Sequence, residues 1–152
     1  MAVGETLWAA LARPPDGQPA VAAPARTALG FGALRRLIGD AVGVLNGLGI
    51  GRGERVAIVL PNGPEMAAAF LAIGAGAATA PLNPAYREDE FDFYLTDLAP
   101  RALVLPAGME SPARAVAGRH GIPIIELVPQ PDQPAGSFKL TVPNWSGVRS
   151  SW

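Results

Sequence analysis

The chain has 152 residues, enough for one domain with a substantial core, and its composition of 49% hydrophobic and 16% charged residues excludes an intrinsically disordered protein. Twelve basic and thirteen acidic residues leave a formal net charge of −1, which gives no electrostatic basis for binding nucleic acid or an anionic membrane. No cysteine is present, which excludes disulfides, thiol catalysis, zinc–thiolate sites and iron–sulfur clusters and is compatible with a reducing cytoplasm.

The N-terminal segment is not expected to act as an export signal. It has an acidic residue at Glu5 and lacks the basic stretch and apolar run of a secretory signal peptide. The strongest candidate for a membrane span, Met66–Ala80, is too short, because a bilayer-spanning helix needs about 20 apolar residues. We therefore expect no membrane span and a cytoplasmic location.

The first third of the chain predicts one strong helix and three weaker elements before it. A short helix is predicted at Glu5–Ala12, a turn at Pro14–Pro19 and a short strand at Ala20–Pro24. The strong helix is Phe31–Leu48, whose apolar residues recur at intervals of three and four: Leu34, Leu37, Ile38, Ala41, Leu45 and Leu48. Glycines follow at its C-terminal end, where they cap a helix without a steric penalty.

From residue 55 onward, strands and helices alternate. Four short apolar runs are predicted strands: Arg55–Leu60, Ala77–Leu82, Arg101–Leu105 and Ile122–Val128. Three predicted helices separate them: Pro64–Ala75, Arg87–Leu98 and, after an N-cap at Ser111, Pro112–Arg119. This alternation is typical of βαβ units in a parallel sheet with covering helices, so the predicted fold class is α/β. The first of the three helices is apolar nearly all round, and we expect it to be buried.

The pattern weakens beyond residue 128. A loop rich in proline and glutamine follows, Ser137–Val142 is predicted as one edge strand, and Asn144–Trp152 shows no period. We therefore divide the chain into an α/β subdomain, residues 1–128, and a loop with a weakly structured tail, residues 129–152. On this division the α/β domain is expected to be truncated.

The titratable residues predict no catalytic or metal-binding set. His120 is the only histidine and stands at a helix end, where a structural or solvated role is expected. The acids Glu88, Asp89 and Glu90 suit a solvated first helical turn, although paired carboxylates could act as general acid and base. No Gly-x-Ser-x-Gly motif is present.

Glycine-rich and lysine motifs give no phosphate site of a known type. The segment Gly47–Gly53 follows a helix and leads into a strand, the reverse of a dinucleotide-binding loop. We expect a helix cap and turn there, with a phosphate site as the alternative, and this order also disfavours a nucleotide-dependent oxidoreductase. Lys139, the only lysine, follows Phe138 and so fits no Walker-type loop. The turn Pro61–Pro64, between a strand and a helix N-terminus, remains a general ligand position.

The middle of the chain resembles a known family. Residues 48–63 read Leu-Gly-Ile-Gly-Arg-Gly-Glu-Arg-Val-Ala-Ile-Val-Leu-Pro-Asn-Gly. This run and the apolar helix after it resemble the adenylate-forming enzymes, in particular the AMP-forming acyl-CoA synthetases. The sequence Ala-Pro-Leu-Asn-Pro-Ala-Tyr at residues 80–86, an acidic helix and Arg101–Leu105 follow in the family's order and spacing. The similarity covers residues 27–128, and Asn83–Leu98 looks most like the oxalate–CoA ligase branch.

The resemblance implies a two-step reaction. Such enzymes use ATP and Mg²⁺ to convert a carboxylic acid, as in fatty acid metabolism, into an acyl-adenylate and pyrophosphate, and coenzyme A then displaces AMP. In the family, the phosphate loop with its lysine, the adenine pocket and the C-terminal domain lie downstream of the region that matches here. None of those motifs occurs before Trp152. The chain is therefore expected to be an N-terminal part of a ligase, inactive alone and with no cofactor bound.

The resemblance also implies one binding residue. Arg87 matches the position from which basic residues of relatives approach the CoA nucleotide, so it is expected to contact a CoA phosphate in the full enzyme. Sheet edges and helix faces left uncovered in a partial domain predict a homodimer or higher oligomer. The alternative function, of a different class, is a free-standing α/β binding or interaction module without catalysis.

Overall fold

The computed structural model describes residues 7–143. Its first elements, in chain order, are helix α1 (Leu7–Ala12), strands β1 (Pro19–Val21) and β2 (Leu29–Gly30), and helix α2 (Phe31–Gly47). There follow β3 (Arg55–Ile58), α3 (Pro64–Gly74), β4 (Ala78–Pro81), α4 (Glu88–Leu98), β5 (Ala102–Pro106), α5 (Pro112–His120), β6 (Ile124–Pro129) and β7 (Phe138–Thr141). Every predicted helix and strand that falls within the described residues is present, with shifts of up to three residues at its ends. The predicted tail Asn144–Trp152 lies outside them.

The centre of the protein is a five-stranded sheet in the order β4-β3-β5-β6-β7. The first four strands in this order are parallel, and β7 pairs antiparallel with β6. The predicted α/β class with a parallel sheet is therefore confirmed. A separate small antiparallel pair, β1 with β2, precedes α2. Among the described helices, none combines the length and the apolar character that a bilayer crossing requires.

One face of the sheet is covered by α2 and α3. The buried residues of α2 include Leu34, Ile38 and Leu45, which follow the predicted spacing. Those of α3 are three alanines and Ile73. The small side chains let the helices approach closely, and a Cβ added at Gly76 would lie 3.1 Å from the side chain of Val42. The prediction that α3 is buried is fulfilled along one side of the helix, whereas Phe70 on the outer side is 42% exposed.

The other face is covered by α4 and α5. Phe91 and Leu95 of α4 pack with Val116 of α5 against alternate residues of β3 and β5. The central strands are thus covered on both faces and are apolar along their whole length, as is typical of a parallel sheet. The N-cap of α5 follows the sequence prediction, since the Ser111 hydroxyl accepts a hydrogen bond from the backbone N–H of Ala113. The helix is followed by Gly121, which adopts a left-handed φ of 67°.

The C-terminal part of the described chain joins the same sheet. After β6, the chain turns through residues 130–137 and returns as β7, which confirms the predicted edge strand within Ser137–Val142. Phe138 of β7 is buried in the core on the α2–α3 side. The division of the chain at residue 128 stays a prediction.

Candidate functional site

The carboxyl ends of the parallel strands meet at one edge of the sheet, hereafter the carboxyl edge. Each of these strands ends at or near a proline: Pro61, Pro81, Pro106 and Pro129. The connections from β3 and from β5 leave in opposite directions, since β3 leads to β4 and β5 leads to β6. In open α/β sheets, ligands bind in the crevice at such a switch point. The candidate site is therefore the space beside the turn 59–63 and the loop 107–111.

The turn after β3 presents backbone groups to solvent. Asn62 and Gly63 are exposed, and Pro64 occupies the first turn of α3, where its missing N–H costs no helical hydrogen bond. No side chain caps this helix N-terminus; the Gly63 carbonyl accepts a hydrogen bond from the Ala67 N–H at 3.1 Å. The exposed N-terminal amides of α3 favour an anionic group, as the sequence indicated for this turn.

The loop after β5 is held by Arg114. Its Nε donates to the Met109 carbonyl at 2.7 Å and its Nη2 to the Pro106 carbonyl at 3.0 Å. The same guanidinium forms an ion pair of 2.9 Å with Glu126 on β6. Arg114 thereby fixes the loop that borders the switch point. No local sequence pattern marks Arg114, because only the fold brings its partners near.

A second arginine, Arg26, joins three segments at the carboxyl edge. Its Nη1 donates to Glu65 on α3 at 2.8 Å, and its Nη2 lies 3.2–3.3 Å from three carbonyl oxygens of the loop after β6. The Ala135 N–H donates to the Thr27 carbonyl at 2.8 Å and ties the same segments together. Arg26 and this loop border a depression of about 250 Å³. Arg26, too, was not predicted, because its partners lie 39 to 108 positions away.

Arg87 lies at the same edge, in the connection from β4 to α4. Asn83 shapes that connection, since its side-chain oxygen accepts a hydrogen bond from the Ala85 N–H at 2.9 Å. The Arg87 side chain is 81% exposed and stands 3.9 Å from Asp89 and 3.8 Å from Glu90. Its backbone N–H donates to Glu90 Oε1 at 3.0 Å, so Glu90 caps the helix. The guanidinium is therefore a solvated cation available to an anionic ligand.

An aromatic cluster adjoins Arg87. The rings of Tyr86 and Tyr94 stack with centroids 5.0 Å apart, and Phe91 meets Tyr86 edge-on at 5.7 Å. A hydrogen bond between the two tyrosine side chains raises the pKa of Tyr86. The Tyr86 phenol is thus neutral at physiological pH, and the stacked rings hold the connection that carries Arg87.

His120 and the segment Gly47–Gly53 lie away from the carboxyl edge and have structural roles. His120, at the end of α5, contacts Asp92 on α4 at 2.8 Å, and this hydrogen bond is the main cause that lowers the pKa of Asp92. The Gly47–Gly53 segment is a cap and turn at the opposite edge, with left-handed φ values of 77° at Gly49 and 85° at Gly53.

The side chains described at the carboxyl edge include no cluster of metal ligands. Between residues 7 and 143, no cluster of three or more His, Asp or Glu side chains could bind a metal ion. Lys139 is exposed on β7 and does not adjoin the switch point. Among these residues, the carboxyl edge therefore presents Arg87 as an exposed cation and no group of metal ligands.

Comparison with known proteins identifies a matching family profile, described as AMP-binding enzyme, over residues 7–146. Among curated proteins, a probable CoA ligase, CCL9, from Humulus lupulus is 39% identical over 90 residues, 59% of this chain and 17% of the relative. The oxalate–CoA ligase of Saccharomyces cerevisiae is 42% identical over 81 residues, 50% of this chain and 15% of the relative. The chain thus matches about a sixth of the length of these relatives.

Solved structures share the fold. The apo structure of MatB from Rhodopseudomonas palustris superposes with a TM-score of 0.67 at 28% identity, covering 86% of this chain and 26% of MatB. The ATP-bound structure of the same protein gives a TM-score of 0.69 with the same coverage. The likeness therefore includes nearly the whole described chain and about a quarter of the solved one.

Proposed function

Because this chain belongs to the family of AMP-binding enzymes, we propose that it is the N-terminal α/β part of an AMP-forming acyl-CoA synthetase. The complete enzyme would convert a carboxylic acid, ATP and coenzyme A into acyl-CoA, AMP and pyrophosphate in the cytoplasm. The observation that carries the proposal is the family match over residues 7–146, together with curated relatives that are CoA ligases.

In this proposal the chain supplies a scaffold rather than the adenylating groups. The switch point between β3 and β5 is shaped by backbone turns and by Arg114. Lys139, the only lysine of the sequence, lies away from it on β7, and residues 7–143 contain no set of metal ligands. ATP and Mg²⁺ would be bound mainly by other parts of the ligase. When bound, Mg²⁺ would offset the negative charge that develops on the phosphates of ATP during adenylate formation.

We assign Arg87 to coenzyme A binding. The residue is solvated, it lies at the carboxyl edge beside the end of β4, and its two acidic neighbours stand at 3.8 Å or more. A phosphate of coenzyme A could replace those weak contacts with a charge-assisted hydrogen bond. The neighbouring tyrosine stack would fix the backbone from which Arg87 projects.

The inactivity of the chain alone is tested by ATP–pyrophosphate exchange. Purified residues 1–152, with MgATP and a panel of carboxylic acids that includes oxalate, are expected to give the rate of the protein-free blank. Exchange that depends on a carboxylic acid would show that the chain adenylates by itself and would refute this part of the proposal. Heat-denatured protein is the matched control.

The ligase assignment is tested by exchange of segments. In the yeast oxalate–CoA ligase, the segment that aligns with this chain is replaced by the corresponding residues of this chain, and oxalyl-CoA formation is measured. Retained turnover supports the proposal. Two results together would favour the alternative of a stand-alone binding module: a folded chimera without turnover, and direct binding of a ligand to residues 1–152.

The same chimera tests Arg87. The Arg87→Ala variant should raise the KM for coenzyme A about tenfold, the loss of one charge-assisted hydrogen bond, without changing the adenylation half-reaction. Arg52→Ala is the matched control, because Arg52 is an exposed arginine at the opposite edge of the sheet. An unchanged KM in the Arg87 variant would remove Arg87 from the coenzyme A site.

A further inference from the structure

The outer side of β7 presents an extended backbone to solvent. Gln130 and Ser137 form a hydrogen-bonded pair at 3.0 Å where β6 leads into β7, and pairing alternates along an antiparallel ladder. Lys139 and Thr141 therefore bond to β6, and the backbone groups of Phe138 and Leu140 point outward. Within residues 7–143, no strand pairs with this side of β7.

An apolar groove runs beside this exposed edge. It lies between α2 and β7, has a volume of about 230 Å³, and is lined by Leu37, Asp40, Ala41, Val44, Phe138, Lys139 and Leu140. Leu37, Leu140 and Val142 are only partly buried against the core. A strand added to β7 would place alternate side chains over this groove, which is the geometry of β-augmentation.

The opposite edge of the sheet, formed by β4, presents fewer backbone N–H groups for pairing with another strand. The Ala78 and Leu82 N–H groups donate inward, to the Glu54 and Ile58 carbonyls at 2.8 Å. Of the residues of β4, Thr79 alone directs an N–H outward in this alternation, because Pro81 has none. The β4 edge is therefore guarded against pairing, and the β7 edge is the one open to it.

We propose that the β7 edge binds a second copy of this chain. Two β7 strands would pair antiparallel about a two-fold axis at Leu140, with Phe138 opposite Val142 of the other copy, to give a continuous ten-stranded sheet. The axis is perpendicular to the sheet, so both α2 helices lie on the same face and the two grooves merge into one covered trough. An identical strand satisfies this arrangement because a two-fold interface is self-complementary.

The charges near the edge allow this pairing. In the chosen register Lys139 faces Thr141 of the second copy, so no like charges are directly opposed. Lys139 alternates with Phe138 and Leu140, so its side chain lies on the opposite face of the sheet. Asp40 is thus the charged side chain that each copy brings to the trough, and it is exposed to solvent. The net charge of −1 per chain adds little long-range repulsion. This inference concerns the isolated chain and does not rest on the proposed ligase activity.

The register is tested by a single cysteine, since the native chain has none. Leu140→Cys, oxidised at concentrations between about 1 and 200 μM, is expected to give a disulfide-linked dimer, because residue 140 meets its own copy at the axis. Thr79→Cys on β4 is the matched control and should form no disulfide-linked dimer under the same conditions, because β4 is the opposite edge of the sheet. Equal cross-linking of both variants, or none of Leu140→Cys, would overturn the proposal.

Charge exchange tests the same contact without oxidation. Wild-type chain should sediment as a dimer, and Leu140→Glu and Leu140→Lys should each be monomers, because like charges would meet at the axis. An equimolar mixture of the two variants should recover a one-to-one dimer, a result that a folding defect cannot give. The proposal would be contradicted by a wild-type chain that is monomeric at about 200 μM or by a mixture that stays monomeric. Either result would mean that β7 is covered by another segment or stays in contact with solvent.

Discussion

The two faces of the sheet are covered in different ways. On the α2–α3 face, a large core of leucine, isoleucine and alanine side chains extends from β1 and β2 to β7. On the α4–α5 face, a smaller core centres on Phe91, and its helices are joined at the surface by charged pairs among Glu88, Asp92, Arg119 and His120. Exposed ion pairs contribute little stability, so the second face depends on a few buried side chains.

The two faces also differ in the contacts that fix them at the carboxyl edge. The α2–α3 face is locked there by long-range contacts: Arg26 reaches Glu65 and the loop after β6, and Gly136 packs against the first turn of α3. The α4–α5 face is locked locally, by Arg114 and by helix caps. Changes at the α2–α3 junction should therefore disturb the turn 59–63, whereas changes among the α4–α5 surface charges should not.

The largest effect is expected at the centre of the smaller core. Phe91→Ala removes a fully buried ring and should lower the free energy of unfolding by about 3–5 kcal/mol. Phe93→Ala on the same helix is the control, because Phe93 is 65% exposed and its loss should change stability by about 0.5 kcal/mol or less. Urea denaturation followed by circular dichroism compares them. Similar losses in both variants would show that the α4–α5 face is not packed as described.

A smaller effect is expected at Gly136. Its φ is +86°, and an added Cβ would lie 2.8 Å from the Pro64 carbonyl oxygen, so Gly136→Ala combines backbone strain with a steric clash. We expect a loss of about 2–4 kcal/mol, with faster hydrogen exchange in the first turn of α3. Gly39→Ala in α2, where nothing lies within 4 Å of the new Cβ, should instead gain up to about 1 kcal/mol. A neutral Gly136→Ala would exclude the close approach.

A third variant, Arg26→Ala, tests the long-range contacts that fix the α2–α3 face at the carboxyl edge. Arg26→Ala leaves Glu65 and three loop carbonyls without their donor and should cost about 1–2 kcal/mol, since the pair is only partly exposed. Hydrogen exchange should accelerate in the loop after β6. Arg87→Ala serves as a control because its side chain is 81% exposed, and it should leave both stability and exchange unchanged. An Arg26 variant with unchanged exchange in residues 130–134 would show that the loop is held by other contacts.

The smallest effect is a pH dependence at the α4–α5 surface. The pKa of Asp92 is lowered, first by the hydrogen bond with His120 and further by the charges of His120 and Arg119. A carboxyl group with a depressed folded pKa contributes stability above its unfolded pKa and loses it as the pH falls through the folded value. Denaturation from about pH 6 to pH 3 should therefore show a steeper loss for the native chain than for Asp92→Asn. Parallel profiles would contradict the pairing.

Much of the fold could be predicted from local patterns, and the site could not. The spacing of Leu34, Ile38 and Leu45 identifies both a helix and its buried face, whereas α3 is so uniformly apolar that its sequence does not distinguish the exposed side at Phe70. Arg26 and Arg114 are ordinary arginines in sequence, and only the topology brings their carbonyl and carboxylate partners near. Arg87 was found through resemblance to a family, and no local pattern marks it.

The segment exchange with the yeast oxalate–CoA ligase tests the central claim most directly. If this chain carries the scaffold of an AMP-binding enzyme, the chimera should form oxalyl-CoA at a rate within about two orders of magnitude of the parent ligase, an allowance for small misplacements at the switch point. A chimera that is folded by circular dichroism and makes neither oxalyl-adenylate nor oxalyl-CoA would contradict the claim.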